Sequence, residues 1–232
     1  MSNIRQAFQN GKAFIPFITC GDPDLESTKR NVRAAVAAGA DLVELGIPFS
    51  DPTAEGPVIQ AANLRALSGG VTTDAVFQMV AELREELTTP LVFMTYANVV
   101  FSYGIEHFAA RAVEVGIDGI ILPDVPFEEK EEFAPAFRAA GIDFISMIAP
   151  TSMARIREIA AAAEGFLYVV SSLGVTGVRR EINTDLSGML ASVRQANPSL
   201  PAAIGFGIST PAQAKRMAAV ADGVIVGSAI VR

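Results

Sequence analysis

The sequence is poor in the residues that build disulfide scaffolds and soft metal sites. Its 232 residues include one cysteine, Cys20, one histidine, His107, and no tryptophan. A single cysteine cannot form an internal disulfide, and one cysteine with one histidine leaves too few ligands for a zinc centre. We therefore exclude a disulfide-rich scaffold and a His/Cys metal site, and we expect no metal.

Basic runs and long hydrophobic runs are also missing. Lys and Arg total 18 against 25 Asp and Glu, a net charge of −7, which gives no electrostatic reason to expect nucleic acid or an anionic membrane as a partner. The richest apolar stretch, 91–101, is too short to span a bilayer and is interrupted by polar residues. The first residues lack the charged and then apolar pattern of a signal peptide, so we expect a cytoplasmic protein.

Short apolar runs alternate along the chain with longer stretches of helical spacing. This alternation is typical of β/α units around a parallel sheet. The predicted strands are 14–19, 42–47, 91–96, 119–122, 144–148, 166–170, 203–206 and 223–226. The predicted helices are 25–38, 73–87, 105–115, 127–140, 153–163, 185–195 and 211–219.

Helix boundary signals support this division. Asp24, Thr72 and Thr210 are good N-caps, and glycine follows three of the helices, in the related motifs at 38–42, 115–119 and 140–144. With no linker between units, we predict one α/β domain over 1–232, a (β/α)8 TIM barrel. A doubly wound open sheet remains the alternative. Because only a few residues follow the eighth strand, we expect the last outer helix to be absent.

In such a barrel, the active site forms at the carboxyl ends of the strands. Glu44 lies inside the apolar second strand, where burial raises the pKa of a carboxyl group towards values useful for proton transfer. It is a candidate general acid/base, the alternative being an interior glutamate held by a salt bridge or a hydroxyl. Glu55, in the loop that follows, is a weaker candidate, because a loop glutamate is usually only solvated.

Glycine-rich turns follow three successive strands, at 174–177, 205–209 and 227–228. Converging turns of this kind let backbone amides approach an anion, and a short helix beginning at Ser228 would point its amides at the same place. The turns predict a phosphate cradle. They do not form a dinucleotide fingerprint, since position 210 is Thr, and no Walker-type Gly-Lys-Ser/Thr occurs.

For several other residues, a purely structural role is a better interpretation than a catalytic or binding role. His107 is expected on a helix surface, Cys20 as a small buried side chain, and Arg179 with Arg180 as a solvated loop pair. Four apolar residues are expected to fill the barrel interior or to line the pocket of an aromatic substrate. They are Phe17, Met94, Ile121 and Ile148.

Six motifs, in order along nearly the whole chain, resemble those of the tryptophan synthase alpha subunit family. They are IPFITCGDP at 15–23, ELGIPFSDP at 44–52, GPVIQ at 56–60, YAN at 96–98, GVTG at 174–177 and GFGIS at 205–209. The resemblance implies a lyase of tryptophan biosynthesis that cleaves indole-3-glycerol phosphate to indole and glyceraldehyde 3-phosphate by a retro-aldol reaction. It implies that Glu44 moves the protons and that Glu55 binds the indole N–H.

The resemblance also implies roles for further residues. Contacts to the substrate are expected from Phe17, Met94, Tyr96, Ile121, Ile148, Tyr168, Thr176 and Phe206, with Tyr168 forming a hydrogen bond near the catalytic glutamate. Phosphate contacts are expected from Gly177, Gly207, Gly227 and Ser228. Thr176 and Asp51 would link two loops that close over the substrate. In the family's familiar motif the second carboxylate is Asp, whereas here it is Glu55, which is longer by one methylene.

The resemblance implies a partner as well. The family's alpha subunit works with a pyridoxal-phosphate-dependent beta subunit in an alpha2beta2 assembly, so that cofactor would belong to the partner, and this chain needs none. The docking faces would be the loop at 53–60 and the loop after Tyr96. Three alternatives stay open. They are a lyase that works alone, a catalytically weak subunit that mainly stimulates the beta subunit, and another phosphate-binding barrel such as a sugar-phosphate isomerase.

Overall fold

A computed structural model describes residues 3–171 and 185–232, and its strands are all parallel in one sheet. Every predicted strand is confirmed, within one or two residues at each end for most of them. The strands are β1 (Ala13–Thr19), β2 (Val43–Gly46), β3 (Leu91–Met94), β4 (Gly119–Ile121), β5 (Asp143–Phe144), β6 (Met147–Ile148), β7 (Leu167–Val170), β8 (Ala202–Gly205) and β9 (Gly223–Val226).

The sheet closes on itself, as the barrel prediction requires. Consecutive strands pair with each other except β5 and β6, which pair only with β4 and β7, and β1 also pairs with β9. The fifth predicted strand is divided into β5 and β6. The backbone between them continues the pairing on both sides, since Ile145 N donates to Ile120 O (2.9 Å) and Tyr168 N donates to Ser146 O (3.0 Å). This closure gives the (β/α)8 TIM barrel and excludes the open doubly wound sheet.

Helices connect successive strands on the outside of the barrel. They are α1 (Leu25–Ala37), α2 (Pro57–Ser68), α3 (Thr73–Arg84), α4 (Ala97–Tyr103), α5 (Ile105–Glu114), α6 (Ala134–Ala140), α7 (Ile156–Ala161), α8 (Leu186–Ala196), α9 (Pro211–Val220) and α10 (Ser228–Val231). The sequence prediction missed α2 and α4. It also joined α6 to a separate 3-10 helix, Phe127–Glu132. No helix in the described ranges is long and apolar enough to cross a bilayer.

The three predicted N-caps are confirmed by their hydrogen bonds. Asp24 accepts from Ser27 N (2.6 Å), Thr72 from Ala75 N (3.2 Å), and Thr210 from Gln213 N (3.2 Å). The glycines after α1, α5 and α6 have positive φ, a backbone conformation that favours glycine. These signals set where each helix begins and ends, and therefore how each strand enters the barrel.

The barrel interior is filled by apolar side chains and is closed at its amino end. The 3-10 helix Ile4–Phe8 covers that end, with Ile4 fully buried and the ring of Phe8 5.7 Å from the ring of Phe166. Two separate clusters of buried residues fill the space between the sheet and its helices. The opposite end, where the strands finish, is therefore the end at which a functional site can form.

Candidate active site

Glu44 lies on β2 with its side chain inside the barrel. Its register partners are Phe17 on β1 and Val92 on β3, both apolar. The residue is fully buried, and neither carboxyl oxygen has a hydrogen-bond partner among the described residues. Burial raises the pKa of Glu44 from 4.5 to about 8. The group therefore keeps its proton at neutral pH and can give it to a substrate.

Gly46, two residues further along β2, makes room for the ring of Phe17. A Cβ atom built at position 46 would lie 2.4 Å from Phe17 Cζ, closer than any side chain tolerates. The motif around Glu44 thus needs glycine here for packing. The ring of Phe17 occupies this space beside β2 and lines the same pocket as Glu44.

Glu55 reaches the same space from the loop before α2. Glu55 is 6% exposed, and Asn63 on α2 donates from Nδ2 to Oε2 of the Glu55 carboxyl group (2.6 Å). Gln60 donates from Nε2 to the backbone carbonyl oxygen of Glu55 (2.7 Å). Burial raises the pKa of Glu55 to about 7, while the hydrogen bond from Asn63 acts in the opposite direction. The sequence alone gave no reason to expect this loop glutamate to be buried.

One pocket at the carboxyl end of the barrel brings the two glutamates together. Seven of the other predicted site residues line it with them, namely Phe17, Met94, Tyr168, Phe206, Gly207, Gly227 and Ser228. The lining also includes Ile59, Ile208 and Ile225, which the sequence reasoning missed. Ile225 could have been found, because strict alternation along β9 places it on the interior face.

The wall formed by Tyr168 and Phe206 depends on unusual backbone in β8 and the turn after it. Phe206 has φ of 73° and Gly207 has φ of 75°, so a bulky residue occupies the left-handed region. Ser171 donates from Oγ to Phe206 O (2.5 Å) and holds this turn. The rings of Tyr168 and Phe206 are nearly perpendicular, with centroids 6.1 Å apart. Neither carboxyl oxygen of Glu44 accepts a hydrogen bond from Tyr168, and the expected hydrogen bond of Tyr168 near this glutamate stays a prediction.

Three of the residues predicted to contact the substrate do not line this pocket. Ile121 is fully buried in the interior cluster, and Tyr96 accepts a hydrogen bond from Ala54 N (3.1 Å) and stacks on Phe49. Ile148 packs outside the sheet, with Ile156 and Ile159 of α7. The reason is the alternation along this strand, which turns Ile145 and Met147 inward and Ile148 outward.

Some of the residues named from the sequence lie outside the described ranges, and one lies on an exposed helix surface. Thr176 and Gly177, together with Arg179 and Arg180, fall within 172–184 and outside the described ranges. His107 is exposed and stacks on Tyr103, with ring centroids 5.0 Å apart, as a surface helix residue.

Cys20 is fully buried, and burial strongly raises the pKa of its thiol, which makes it a poor nucleophile. Within 3–171 and 185–232, no group of three or more His, Cys, Asp or Glu side chains could hold a metal ion. The two glutamates therefore carry the acid/base chemistry that the described pocket offers.

The motifs around this pocket are matched by a family model. The model described as "Tryptophan synthase alpha chain" matches residues 2–232. The chain belongs to the tryptophan synthase alpha chain family. It is 53% identical to the tryptophan synthase alpha chain of Lactiplantibacillus plantarum over 232 residues, which covers all of this chain and 88% of that relative.

Solved structures of the tryptophan synthase alpha chain family share this fold. The alpha chain of Legionella pneumophila superposes with a TM-score of 0.85 at 39% identity, covering 100% of this chain and 87% of the other. A chain from the structure titled as the tryptophan synthase a2b2 complex of Pyrococcus furiosus gives a TM-score of 0.83 at 36% identity, covering 95% and 89%. These likenesses cover the barrel and every motif of the pocket.

Proposed function

We propose that this chain is the lyase subunit that cleaves indole-3-glycerol phosphate to indole and glyceraldehyde 3-phosphate in tryptophan biosynthesis. Family membership supports the alpha-subunit role. The observation that carries the reaction is the pair of buried carboxyl groups, Glu44 and Glu55, that line one apolar pocket. Cleavage of a bond between an aromatic carbon and a carbinol carbon needs an acid, a base and a stabiliser of positive charge, and two carboxyl groups can supply all three.

Glu44 is assigned both proton transfers. Its raised pKa of about 8 keeps it protonated at neutral pH, so it can give its proton to C3 of the indole ring. The resulting carboxylate then removes the proton of the carbinol hydroxyl. As the C–O double bond forms, the bond from C3 to the carbinol carbon breaks and its electron pair returns to the ring. Indole leaves, and Glu44 is protonated again.

Glu55 is assigned the charge on the ring nitrogen. Protonation at C3 makes the ring a cation whose N–H is a strong donor, and a carboxylate placed there stabilises it. The pKa of Glu55 is about 7, against about 8 for Glu44, because Glu55 is less deeply buried and because Asn63 donates a hydrogen bond to it. The two carboxyl groups can thus hold different protonation states at the same pH, which divides the acid and the electrostatic role between them.

The rest of the pocket is assigned to binding. Phe17, Met94, Tyr168 and Phe206 offer apolar surface to the indole ring. The phosphate is assigned to the backbone at Gly207, Gly227 and Ser228, with Thr176 and Gly177 remaining predictions. At Gly227 a Cβ atom would lie 3.6 Å from Ile59 and 3.7 Å from Phe17, in ordinary contact with two other residues of the pocket lining. Tyr96 and Ile121 remain predictions for substrate contact, whereas Ile148, which faces the outer helices, is assigned none.

The proposed assembly is with a tryptophan synthase beta subunit, in the a2b2 form that the Pyrococcus furiosus title names for that protein. The docking faces assigned here are the loop at 53–60 and α4, where Phe101 is 63% exposed. Pyridoxal phosphate would belong to the beta subunit, and this chain would act without a cofactor of its own. We place the assembly in the cytoplasm.

Indole release from indole-3-glycerol phosphate tests this function. The wild-type chain, Glu44→Gln and Glu55→Ala would be assayed with and without a beta subunit. We expect release by the wild type, faster with the partner, and loss of activity in Glu44→Gln by roughly 100-fold or more. Binding of the beta subunit without any indole release would instead support the alternative of a catalytically weak, stimulating subunit. No release and no binding by a folded chain would overturn both assignments.

A further inference from the structure

The loop that carries Glu55 is held by two side chains of the same helix, and they act on different parts of that residue. Asn63 donates from Nδ2 to Oε2 of the carboxyl group (2.6 Å), whereas Gln60 donates from Nε2 to the backbone carbonyl oxygen (2.7 Å). Asn63 is 4% exposed, while Gln60 is exposed. Only the first contact is therefore a shielded hydrogen bond to a group that changes charge.

Among the described residues, the side-chain amide of Asn63 has one hydrogen-bond partner, the carboxyl group of Glu55. It is a buried amide on α2, whose other buried residues are Ile59, Ala62 and Ala66. Burying an amide among such neighbours is costly unless it is hydrogen-bonded, and a hydrogen bond to an ionised acceptor is among the stronger kinds. A neutral donor also favours the ionised form of the carboxyl group without placing a second charge in the pocket.

The contact fixes the orientation of a side chain with one more rotatable bond than aspartate. Glu55 would otherwise lose its side-chain entropy only when the substrate binds. Glu55 lines the pocket and Asn63 engages Oε2 of its carboxyl group, so the second oxygen, Oε1, is the one assigned to the substrate. A carboxylate held by a buried partner is oriented before the substrate arrives, which lowers the cost of binding and of the charged intermediate.

We propose that Asn63 is the positioning residue of this site, whose side-chain amide holds Oε2 of Glu55 so that Oε1 meets the ring N–H of the indole substrate. The proposal rests on the function proposed above and adds the residue that determines recognition of the ring nitrogen. Among the described residues, the other titratable groups around Glu55 are Glu44 on β2, Tyr168 on β7 and Tyr96 after β3, and Tyr96 also lies in the field of Asp124. In the part of the chain that the structure describes, no cationic side chain acts on the Glu55 carboxyl group, whose hydrogen-bond donor is Asn63.

Two measurements distinguish this role from a merely structural one. The first is the pKa of Glu55, followed by carbon-13 NMR of its carboxyl group and assigned with Glu55→Gln. The second is the ratio of the dissociation constants for indole and 1-methylindole, which differ at the ring N–H. Both measurements need no turnover, so they judge Asn63 even if the wild type releases no indole. In that case only the proposed function fails.

Asn63→Ala is the test variant and Gln60→Ala is the matched control on the same helix. We expect Asn63→Ala to raise the pKa of Glu55, to remove most of the preference for indole, and to lower kcat/KM at pH 7 by roughly 10- to 100-fold. Part of this loss returns at higher pH as Glu55 ionises. Gln60→Ala is expected to keep both the pKa of Glu55 and the preference for indole, because Gln60 contacts only the backbone of that residue.

A second variant covers the case in which Asn63→Ala does not fold. Asn63→Asp has nearly the same shape and, when ionised, cannot donate to Glu55, so we expect the same direction of change with a larger rise in the pKa of Glu55. In a Glu55→Gln background, neither substitution should alter the preference for indole further. If both Asn63 variants keep the wild-type pKa of Glu55 and the wild-type preference for indole, the proposal is overturned.

Discussion

Gly205 lies against the ring of Tyr168 so closely that a Cβ atom at position 205 would be 2.3 Å from the tyrosine hydroxyl. The glycine stands at the end of β8, in register with Val170 of the neighbouring strand β7. Its missing side chain is therefore the space that the Tyr168 ring occupies. Through that ring, this glycine sets the wall of the pocket that faces Glu44.

Gly205→Ala is expected to displace Tyr168 into the pocket. Overpacking of this kind costs about 1–3 kcal/mol of stability. We expect the folded variant to lose indole-releasing activity by a larger factor than its loss of stability explains, because the displaced ring occupies substrate space. Gly69→Ala is the control, since a Cβ there would meet backbone atoms no closer than 3.3 Å at an exposed helix end. Steady-state kinetics and urea unfolding of both variants check this; equal behaviour would contradict it.

Glu44 is predicted to lower the stability of the protein at neutral pH. In the folded state its pKa is about 8, whereas the unfolded chain releases this proton near 4.5. Between those pH values the folded state binds more protons, so the free energy of unfolding falls as the pH rises. Glu44→Gln removes this titration. The variant should therefore gain stability relative to the wild type across that window, by on the order of 1–4 kcal/mol at its upper end.

Urea unfolding at pH 5 and pH 8 measures this effect. The exposed Glu106, on the surface of α5, provides the control substitution Glu106→Gln, which should leave the pH dependence of stability unchanged. A Glu44→Gln variant whose advantage does not grow between these two pH values would show that Glu44 is solvated or paired in the folded protein.

A largely buried ion pair at the amino end of the barrel allows a prediction about stability rather than catalysis. Arg84 Nη2 lies 2.6 Å from Asp118 Oδ2, and the same carboxylate oxygen accepts from Leu91 N at the start of β3. Arg84 also donates to the carbonyl oxygens of Gly116 and Thr89. Removing the arginine leaves Asp118 partly buried without its cation.

Arg84→Met should therefore cost about 2–4 kcal/mol of stability. The matched control is Arg111→Met, which breaks the more exposed pair with Glu114 and should cost under about 1 kcal/mol. Neither change should alter kcat of the folded protein, because both pairs are remote from the pocket. Chemical unfolding of the two variants checks the difference, and equal losses would contradict the structural role assigned to Arg84.

Most of the barrel could be predicted from the sequence, because each strand and each helix cap has a local sequence signal. Apolar runs gave the strands, and Asp24, Thr72 and Thr210 marked helix starts that the structure confirms. Helix α2 was not predicted, because its apolar and polar residues do not separate into an apolar face and a polar face. The break between β5 and β6 was not predicted, because nothing in the segment 144–148, four apolar residues and Ser146, indicates where the hydrogen-bond ladder is interrupted.

The site was less predictable than the fold. Glu44 could be found because a carboxyl group in an apolar strand is unusual. Asn63 could not, since nothing in a helix sequence shows that one amide points to a loop glutamate eight residues earlier. Ile148 was assigned to the interior face, and only the alternation of Ile145 and Met147 in the structure turns it outward. Tertiary contacts, rather than local pattern, decide such positions.

The pH dependence of kcat/KM for indole release tests the central claim most directly. The account predicts a narrow optimum, with activity rising as Glu55 ionises at a pKa of about 7 and falling as Glu44 loses its proton at a pKa of about 8. In Glu55→Gln the rising limb should disappear while the falling limb remains. A wild-type profile that is flat across this range, or one that Glu44→Gln reproduces at full rate, would contradict the assignment of the two carboxyl groups.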